Sequence, residues 1–122
     1  MNRFKRKEII MNLCFISGNL GDDPRNSMTT NGQSVTRFSL ASKKKYIDSN
    51  GETKEITNWH RIIAWNSLAD DATLLSKGDY VEVKGAESTH SYEKDGEKKY
   101  ITEIVAASIT VPLGYFRNKQ ER

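Results

Sequence analysis

Residues Asn58–Trp65 read NWHRIIAW, a segment that holds both tryptophans of the chain with an arginine between them. Side chains alternate along a β-strand, so Trp59, Arg61 and Trp65 are predicted to share one face and His60 the other. One interpretation places both indoles in a core. Against it, a guanidinium is rarely buried without a partner, and an arginine between aromatic rings suits a surface that stacks bases and binds phosphates.

Composition limits the classes of protein to which the chain can belong. Its 122 residues fit one domain with a single core. The net charge of +3 and a pI near 9.0 agree with a polyanionic partner, although many domains carry as much charge. One cysteine excludes an intrachain disulfide and indicates a reducing cytosol. No apolar run approaches the roughly 18 residues of a membrane span, so we expect a cytoplasmic protein with no membrane contact.

The first predicted strand, in residues 11–16 (MNLCFI), is apolar on both of its faces. Leu13 and Phe15 point one way by strand parity, and Cys14 and Ile16 point the other way. A strand that is apolar on both faces needs a partner on each side, which is either a second sheet or another subunit. An uncovered strand of this kind would promote aggregation, so we expect it to pair with its counterpart across a two-fold axis.

Two pairs of strand-like segments each flank a turn in which Gly follows Asn or Asp, the strongest short signal for a β-hairpin. They are residues 35–46 with 55–65, around the turn Asp48–Gly51, and residues 80–92 with 98–109, around Asp95–Gly96.

A helix is predicted between the two hairpins, in residues 66–78, where Leu68, Ala72 and Leu75 recur at helical spacing. Ser67 can cap its start and Gly78 can close it. The order is therefore one strand, a hairpin, a helix and a second hairpin. This order predicts an all-β fold, a five-stranded OB barrel with one short helix between the third and fourth strands, whose open face binds oligonucleotides or oligosaccharides.

Basic residues cluster beside an aromatic residue at the tip of each hairpin. A charge run alone is typical of a solvated face, and that interpretation stays open for the triple lysine of the first tip. Recurrence at both tips favours a path for a single nucleic-acid strand. The candidate DNA contacts are Tyr46, Trp59, Trp65 and Tyr92 for bases, and Arg37, Lys43, Lys44, Lys45, Arg61, Lys94, Lys98 and Lys99 for phosphates.

Several segments together resemble the bacterial single-stranded DNA-binding protein family. They are GNLGDDP, RFSLAS, NGETKEITNWHRIIAW, KGDYVEVKG and SYEKDGEKKYITEIVA, and the resemblance runs from about Asn12 to about Val111. It implies a homotetramer of OB folds around which a single strand wraps, in replication, recombination or repair. Tyr46 and Tyr92 match positions where well-known members have tryptophan, and Trp65 matches a phenylalanine. All three exchanges keep an aromatic face for stacking.

The resemblance also bears on assembly and on the termini. His60 matches a residue at a subunit interface of the family, so the expected oligomer contacts are Leu13, Cys14, Phe15, Ile16 and His60. Residues 11–112 are expected to form the OB domain, with a basic extension in 1–10, either disordered or touching DNA, and a short basic tail in 113–122. The tail lacks the acidic, Phe-terminated tip of chromosomal members, so we expect no recruitment of other proteins through it.

Catalytic interpretations find little support in the residues. The chain has His60 and His90 as its only histidines and Cys14 as its only thiol, which cannot form a zinc ligand set at the usual spacings. A phosphate-binding glycine loop is also missing from the sequence. We therefore expect a non-enzymatic protein without metal or cofactor. The alternative function is an OB-fold adaptor that binds DNA chiefly to recruit a helicase or primase, and it would need few stacking aromatics.

Overall fold

The computed structural model describes residues 12–114, so the predictions for residues 1–10 and for most of 113–122 lie outside the described residues. Within that range the chain forms six strands and one complete helix. In chain order they are β1 (Cys14–Leu20), β2 (Arg25–Met28), β3 (Ser34–Ile47), β4 (Thr53–Trp65), α1 (Asn66–Ala72), β5 (Tyr80–Lys94) and β6 (Glu97–Thr110).

Five of the strands close into a barrel in the order β1-β5-β6-β4-β3, with β1 returning to β3. The closing ladder is short and pairs Asn19 with Ala41 and Leu20 with Leu40. Strands β4 and β6 run parallel, whereas the other neighbours are antiparallel. Helix α1 lies between the third and fourth barrel strands, which confirms the predicted OB architecture. Strand β2 was not predicted; it pairs with the edge of β3 outside the barrel.

Apolar side chains from alternate positions of the strands fill the barrel interior. Leu40, Ile62, Val81 and Val83 are fully buried there, and α1 adds Ala72. Burial of each large apolar side chain stabilises the fold by about 1.5–3 kcal/mol relative to exposure. This alternation decides which residues of β3 and β4 point away from the core.

Both predicted hairpins are confirmed. Strands β3 and β4 stay in one register from Val35 opposite Trp65 to Ile47 opposite Thr53. Asp48 Oδ1 accepts hydrogen bonds from the N–H groups of Asn50 and Glu52, both at 2.9 Å. In the second turn Asp95 and Gly96 have φ of 54° and 78°, the left-handed pair whose twist suits a two-residue hairpin.

The helix differs from its prediction at both ends. It covers Asn66–Ala72 rather than 66–78, and no side chain caps its start. Ser67 lies inside the helix because the chain turns at Asn66, whose φ of 58° is a conformation that asparagine tolerates. Leu75 lies beyond the helix yet packs against the core. Its spacing from Ala72 therefore indicated that both residues are buried, and not that the helix continues to Leu75. Among residues 12–114 no helix has the length and apolar character needed to cross a membrane.

Candidate nucleic-acid interface

Strands β3 and β4 present a polar face away from the barrel interior. Residues opposite each other in an antiparallel pair point to the same side of the sheet. Leu40 and Ile62 point inward, so the intervening positions point outward. We call this side the outer face; its residues include Arg37, Ser39, Trp59, Arg61 and Trp65.

Trp59 is a surface residue, with 61% of its area exposed. Its indole lies against Gly21, where an added Cβ would come within 2.8 Å of Trp59 Cη2. The backbone at Gly21 thus supports the ring while most of the ring surface faces solvent. Trp65 is also exposed and precedes α1 directly. These exposures exclude the interpretation in which both indoles are core residues.

An ion pair crosses the outer face between β3 and β6. Arg37 Nε donates to Glu103 Oε2 at 2.9 Å, and β4 lies between their two strands in the sheet. Only 6% of the Glu103 side chain is exposed, against 53% of the Arg37 side chain. His90 Nε2 lies 3.9 Å from the other carboxylate oxygen of Glu103. Charge-assisted hydrogen bonds of this length fix orientation, so Glu103 holds the Arg37 guanidinium in place on the surface.

A groove of about 310 Å³ opens beside this ion pair. Arg25, Arg37 and Arg61 line it, together with Asp22, Asp23 and Glu103 and with Phe38, Ile62 and Ile101. Within residues 12–114, Arg61 makes no ion pair with a carboxylate. Its exposed guanidinium can therefore bind an external anion.

The second hairpin continues the outer face. Glu103 lies on that face because it binds Arg37, and the register from Glu97 to Ala106 is unbroken. Alternation therefore places Tyr92 and Lys99, which pair directly, on the side of Glu103. Tyr92 is exposed. Three of the four predicted stacking residues, Trp59, Trp65 and Tyr92, thus share the outer face.

The remaining predicted contacts divide between the two faces of the hairpins. Lys43 and Lys45 have the parity of Arg37 and lie on the outer face, as does Lys94, which follows Tyr92 by two residues. Tyr46 and Lys44 have the parity of Leu40 and lie on the opposite face, and Lys98 pairs with Glu93 on the side away from Tyr92. The structure therefore does not bring Tyr46, Lys44 and Lys98 together with the indoles on one face.

Two exposed residues were not singled out from the sequence, Tyr100 on the face of β6 away from Tyr92 and Arg25 on the outer face. Tyr100 is exposed, and Lys98 Nζ lies 5.8 Å from the centre of its ring. The spacing of two between Lys98 and Tyr100 was a usable signal, because strand alternation puts them on one face. Arg25 gave no such signal, since β2 was not predicted and its pairing with Arg37 depends on that strand.

The predicted oligomer contacts divide in the same way. Leu13 and Phe15 are exposed, whereas Cys14 and Ile16 are partly buried and pack against the core. His60 has the parity of Leu40 and lies on the side away from the outer face, where it stays partly exposed. The β1–β3 ladder reaches only Asn19 and Leu20, so the N-terminal part of β1 is bonded to β5 alone. Among residues 12–114 no three His, Cys, Asp or Glu side chains are grouped to bind a metal ion.

Comparison with known proteins gives a consistent set of relatives. The model of the Single-strand binding protein family matches residues 11–112. Single-stranded DNA-binding protein 1 of Chlorobaculum tepidum is 43% identical over 102 residues, 81% of this chain and 63% of the relative. A single-stranded DNA-binding protein of Xanthomonas axonopodis pv. citri is 39% identical over 98 residues, 79% of this chain and 54% of the relative. The chain thus spans less than two thirds of the length of these curated relatives.

Solved structures agree. A deletion mutant of the single-stranded DNA binding protein from Thermus aquaticus superposes with a TM-score of 0.74 at 30% identity, covering 85% of this chain and 51% of that one. The Plasmodium falciparum SSB in complex with ssDNA gives a TM-score of 0.75 at 32% identity, covering 83% of this chain and 90% of that one.

Proposed function

Since the chain belongs to the single-strand binding protein family, we propose that it binds single-stranded DNA without strong sequence preference and acts without catalysis. Bases stack on the aromatic side chains of the outer face, and lysine and arginine side chains bind the phosphates between them. Coating and protection of the unpaired strand during replication, recombination or repair follow from this activity. The cytoplasm, where the expected ligand lies, is the proposed location.

The observation that carries the proposal is the exposure of Trp59 beside Arg61 on a face that extends to Tyr92. The exposed Trp59 ring can stack on a base. The neighbouring Arg61 guanidinium, which has no ion-pair partner among residues 12–114, can bind the adjacent phosphate. Duplex DNA keeps its bases stacked on each other and cannot use such rings. The related Plasmodium falciparum SSB, whose structure is a complex with ssDNA, supports the same ligand. The adaptor alternative receives no support, because the family and the relatives named above are all described as single-strand binders.

The proposal is tested by fluorescence anisotropy with a labelled thymidine oligomer and a labelled duplex of equal length. Binding to the oligomer should be much tighter than to the duplex. Its affinity should fall with salt, with a log–log slope of about −0.7 for each phosphate contacted. Equal affinity for the duplex would overturn the proposal, because stacking on protein rings requires unpaired bases.

We further propose that copies of the chain associate through β1. Leu13 and Phe15 are exposed apolar residues on a strand whose second edge is bonded only at Asn19 and Leu20. A second copy of the chain that pairs with this edge would extend the sheet and would cover these apolar side chains at the same time. A dimer formed in this way could pair again through a second surface that includes His60, which would give the expected tetramer.

A further inference from the structure

Two arginines lie directly opposite each other at the edge of the sheet. Arg25 on β2 pairs with Arg37 on β3, so their Cα atoms are about 4.5–5.5 Å apart and their side chains share the outer face. Like charges in directly opposed positions destabilise a sheet. An anion bound between or beside the two guanidinium groups would offset this repulsion.

Strand β2 holds Arg25 at this position firmly, although the strand is short and exposed. Asn26 Nδ2 donates to Thr36 Oγ1 at 2.9 Å and to Ser34 Oγ at 3.1 Å. Thr36 is itself buried and donates to the carbonyl oxygen of Ala69 in α1 at 2.7 Å. The side chain next to Arg25 therefore connects β2 to the barrel and the helix, and the register with Arg37 follows from this connection.

The acidic residues of the groove are engaged by the protein itself. Asp23 Oδ1 accepts from the N–H of Lys77 at 2.8 Å, and Asp22 Oδ1 accepts from the N–H of Asp23 at 2.8 Å. Glu103 is buried against Arg37. The side chain of Arg25 is 83% exposed, and its guanidinium lies 3.7 Å from Asp22 Oδ2, a loose surface pair. The groove thus offers the Arg25 side chain to solvent, while Arg37 occupies Glu103 and backbone N–H groups engage one oxygen each of Asp22 and Asp23.

We propose that Arg25, Arg37 and Arg61 form a phosphate-binding subsite of the groove, which leads a nucleic-acid strand from Trp59 across β3 to the β2 edge. Guanidinium groups bind phosphate oxygens through paired N–H donors, and all three line one groove beside the aromatic surface. This inference rests on the proposed function and adds to it a residue, Arg25, and a direction for the strand. Glu103 is the positioning residue of the subsite, because it fixes Arg37.

The test compares the Arg25→Gln variant with Lys84→Gln, which removes an exposed positive charge from β5 opposite Phe15. Both are titrated with a thymidine oligomer and with an abasic deoxyribose-phosphate oligomer of the same length. Each phosphate contact contributes about 0.7 to the slope of log affinity against log salt concentration. If two variants bind equally at 1 M salt, the loss of one contact therefore lowers the affinity about fivefold at 0.1 M salt, one decade below. Arg25→Gln should show this loss and a slope smaller by about 0.7 on both oligomers. Lys84→Gln should match the wild type, and because Lys84 lies opposite Phe15 of the proposed association surface, sedimentation velocity should show the wild-type species for this variant.

The possible results separate this subsite from the proposed function. Equal behaviour of the two variants, with wild-type binding intact, would overturn the subsite and leave single-strand binding standing. A loss on the thymidine oligomer alone would mean that Arg25 contacts bases, which also overturns the phosphate assignment. If the wild type bound neither oligomer, the proposed function and the subsite would fail together. Thermal unfolding of both variants shows whether β2 stays folded, and Arg25→Lys, which keeps the charge, should retain the salt slope.

Discussion

Arg37 Nε lies 2.9 Å from Glu103 Oε2 although 66 positions separate the two residues in the chain. The pair connects β3 to β6 across β4, and Ile63, the β4 partner of Arg37, is buried despite its position on the outer face. The ion pair therefore contributes to the wall of the barrel as well as to the surface that we propose binds DNA.

Replacing Arg37 with Ala should lower the free energy of unfolding by about 1–3 kcal/mol, because the buried Glu103 carboxylate loses its strong donor. His90 at 3.9 Å is too far to replace that hydrogen bond. Arg61→Ala is the matched control: it removes an exposed arginine without an ion pair and should change stability by less than about 0.5 kcal/mol. Urea unfolding measures both, and equal values would show that the Arg37–Glu103 pair contributes no net stability.

Gly21→Ala should weaken DNA binding because the added methyl group displaces the Trp59 indole. The new Cβ would lie within 2.8 Å of Trp59 Cη2, so the indole must move. Loss of one stacking residue costs about 1–3 kcal/mol, or about 5- to 150-fold in affinity, and the glycine variant should lie between the wild type and Trp59→Ala. In a Trp59→Ala background the same substitution should have no further effect. An equal loss in both backgrounds would mean that Gly21 acts independently of the indole.

The adjacent lysines of the second hairpin should differ in their contribution to binding. Lys99 lies beside Tyr92 on the outer face, whereas Lys98 lies over Tyr100 on the other side. Lys99→Gln should therefore reduce the salt slope by about 0.7 and the affinity about fivefold at 0.1 M salt, and Lys98→Gln should do neither. Parallel salt titrations compare them directly. Identical losses would show that the strand contacts both faces of the hairpin.

Sequence patterns predicted the elements of this fold better than the relations between them. Both hairpins and the barrel order follow from alternation and from Asp95–Gly96 and the Asn50–Gly51 turn, which are local signals. Strand β2 was missed because residues 25–28 carry no apolar alternation; the strand is held by side-chain hydrogen bonds of Asn26. The end of α1 was misplaced because Leu75 packs into the core from a turn, and apolar spacing alone does not distinguish the two.

The candidate site was predicted in part for a related physical reason. Aromatic residues beside basic residues were identified from their positions in one strand and at the hairpin tips, and the structure places Trp59, Trp65 and Tyr92 on one face. Strand alternation already places Tyr46 and Lys45 on opposite faces of the hairpin. The sequence interpretation nevertheless treated the residues of each hairpin tip as one cluster and did not assign them to faces. The pairing of Arg25 with Arg37 and of Arg37 with Glu103 depends on tertiary register, which no local pattern encodes.

Association through β1 predicts that Phe15→Glu disrupts the oligomer. A glutamate at position 15 would lie opposite Lys84 of β5, and desolvating both charges in the proposed interface would cost more than their attraction returns. Met28→Glu is a close control, since both residues are 68% exposed and Met28 lies on β2, which pairs with β3. Sedimentation velocity should give a smaller species for Phe15→Glu alone. An unchanged species would place the interface elsewhere, and a monomeric wild type would exclude association altogether.

Fluorescence of Trp59 reports most directly on whether bases stack on the outer face. The Trp65→Phe variant leaves Trp59 as the sole tryptophan of the chain and keeps an aromatic ring at position 65. Titration of this variant with poly(dT) should quench its emission, with saturation at the stoichiometry found by anisotropy, because a base stacked on the indole quenches it. Tight binding of poly(dT) without any change in the emission of Trp59 would contradict base stacking on this residue.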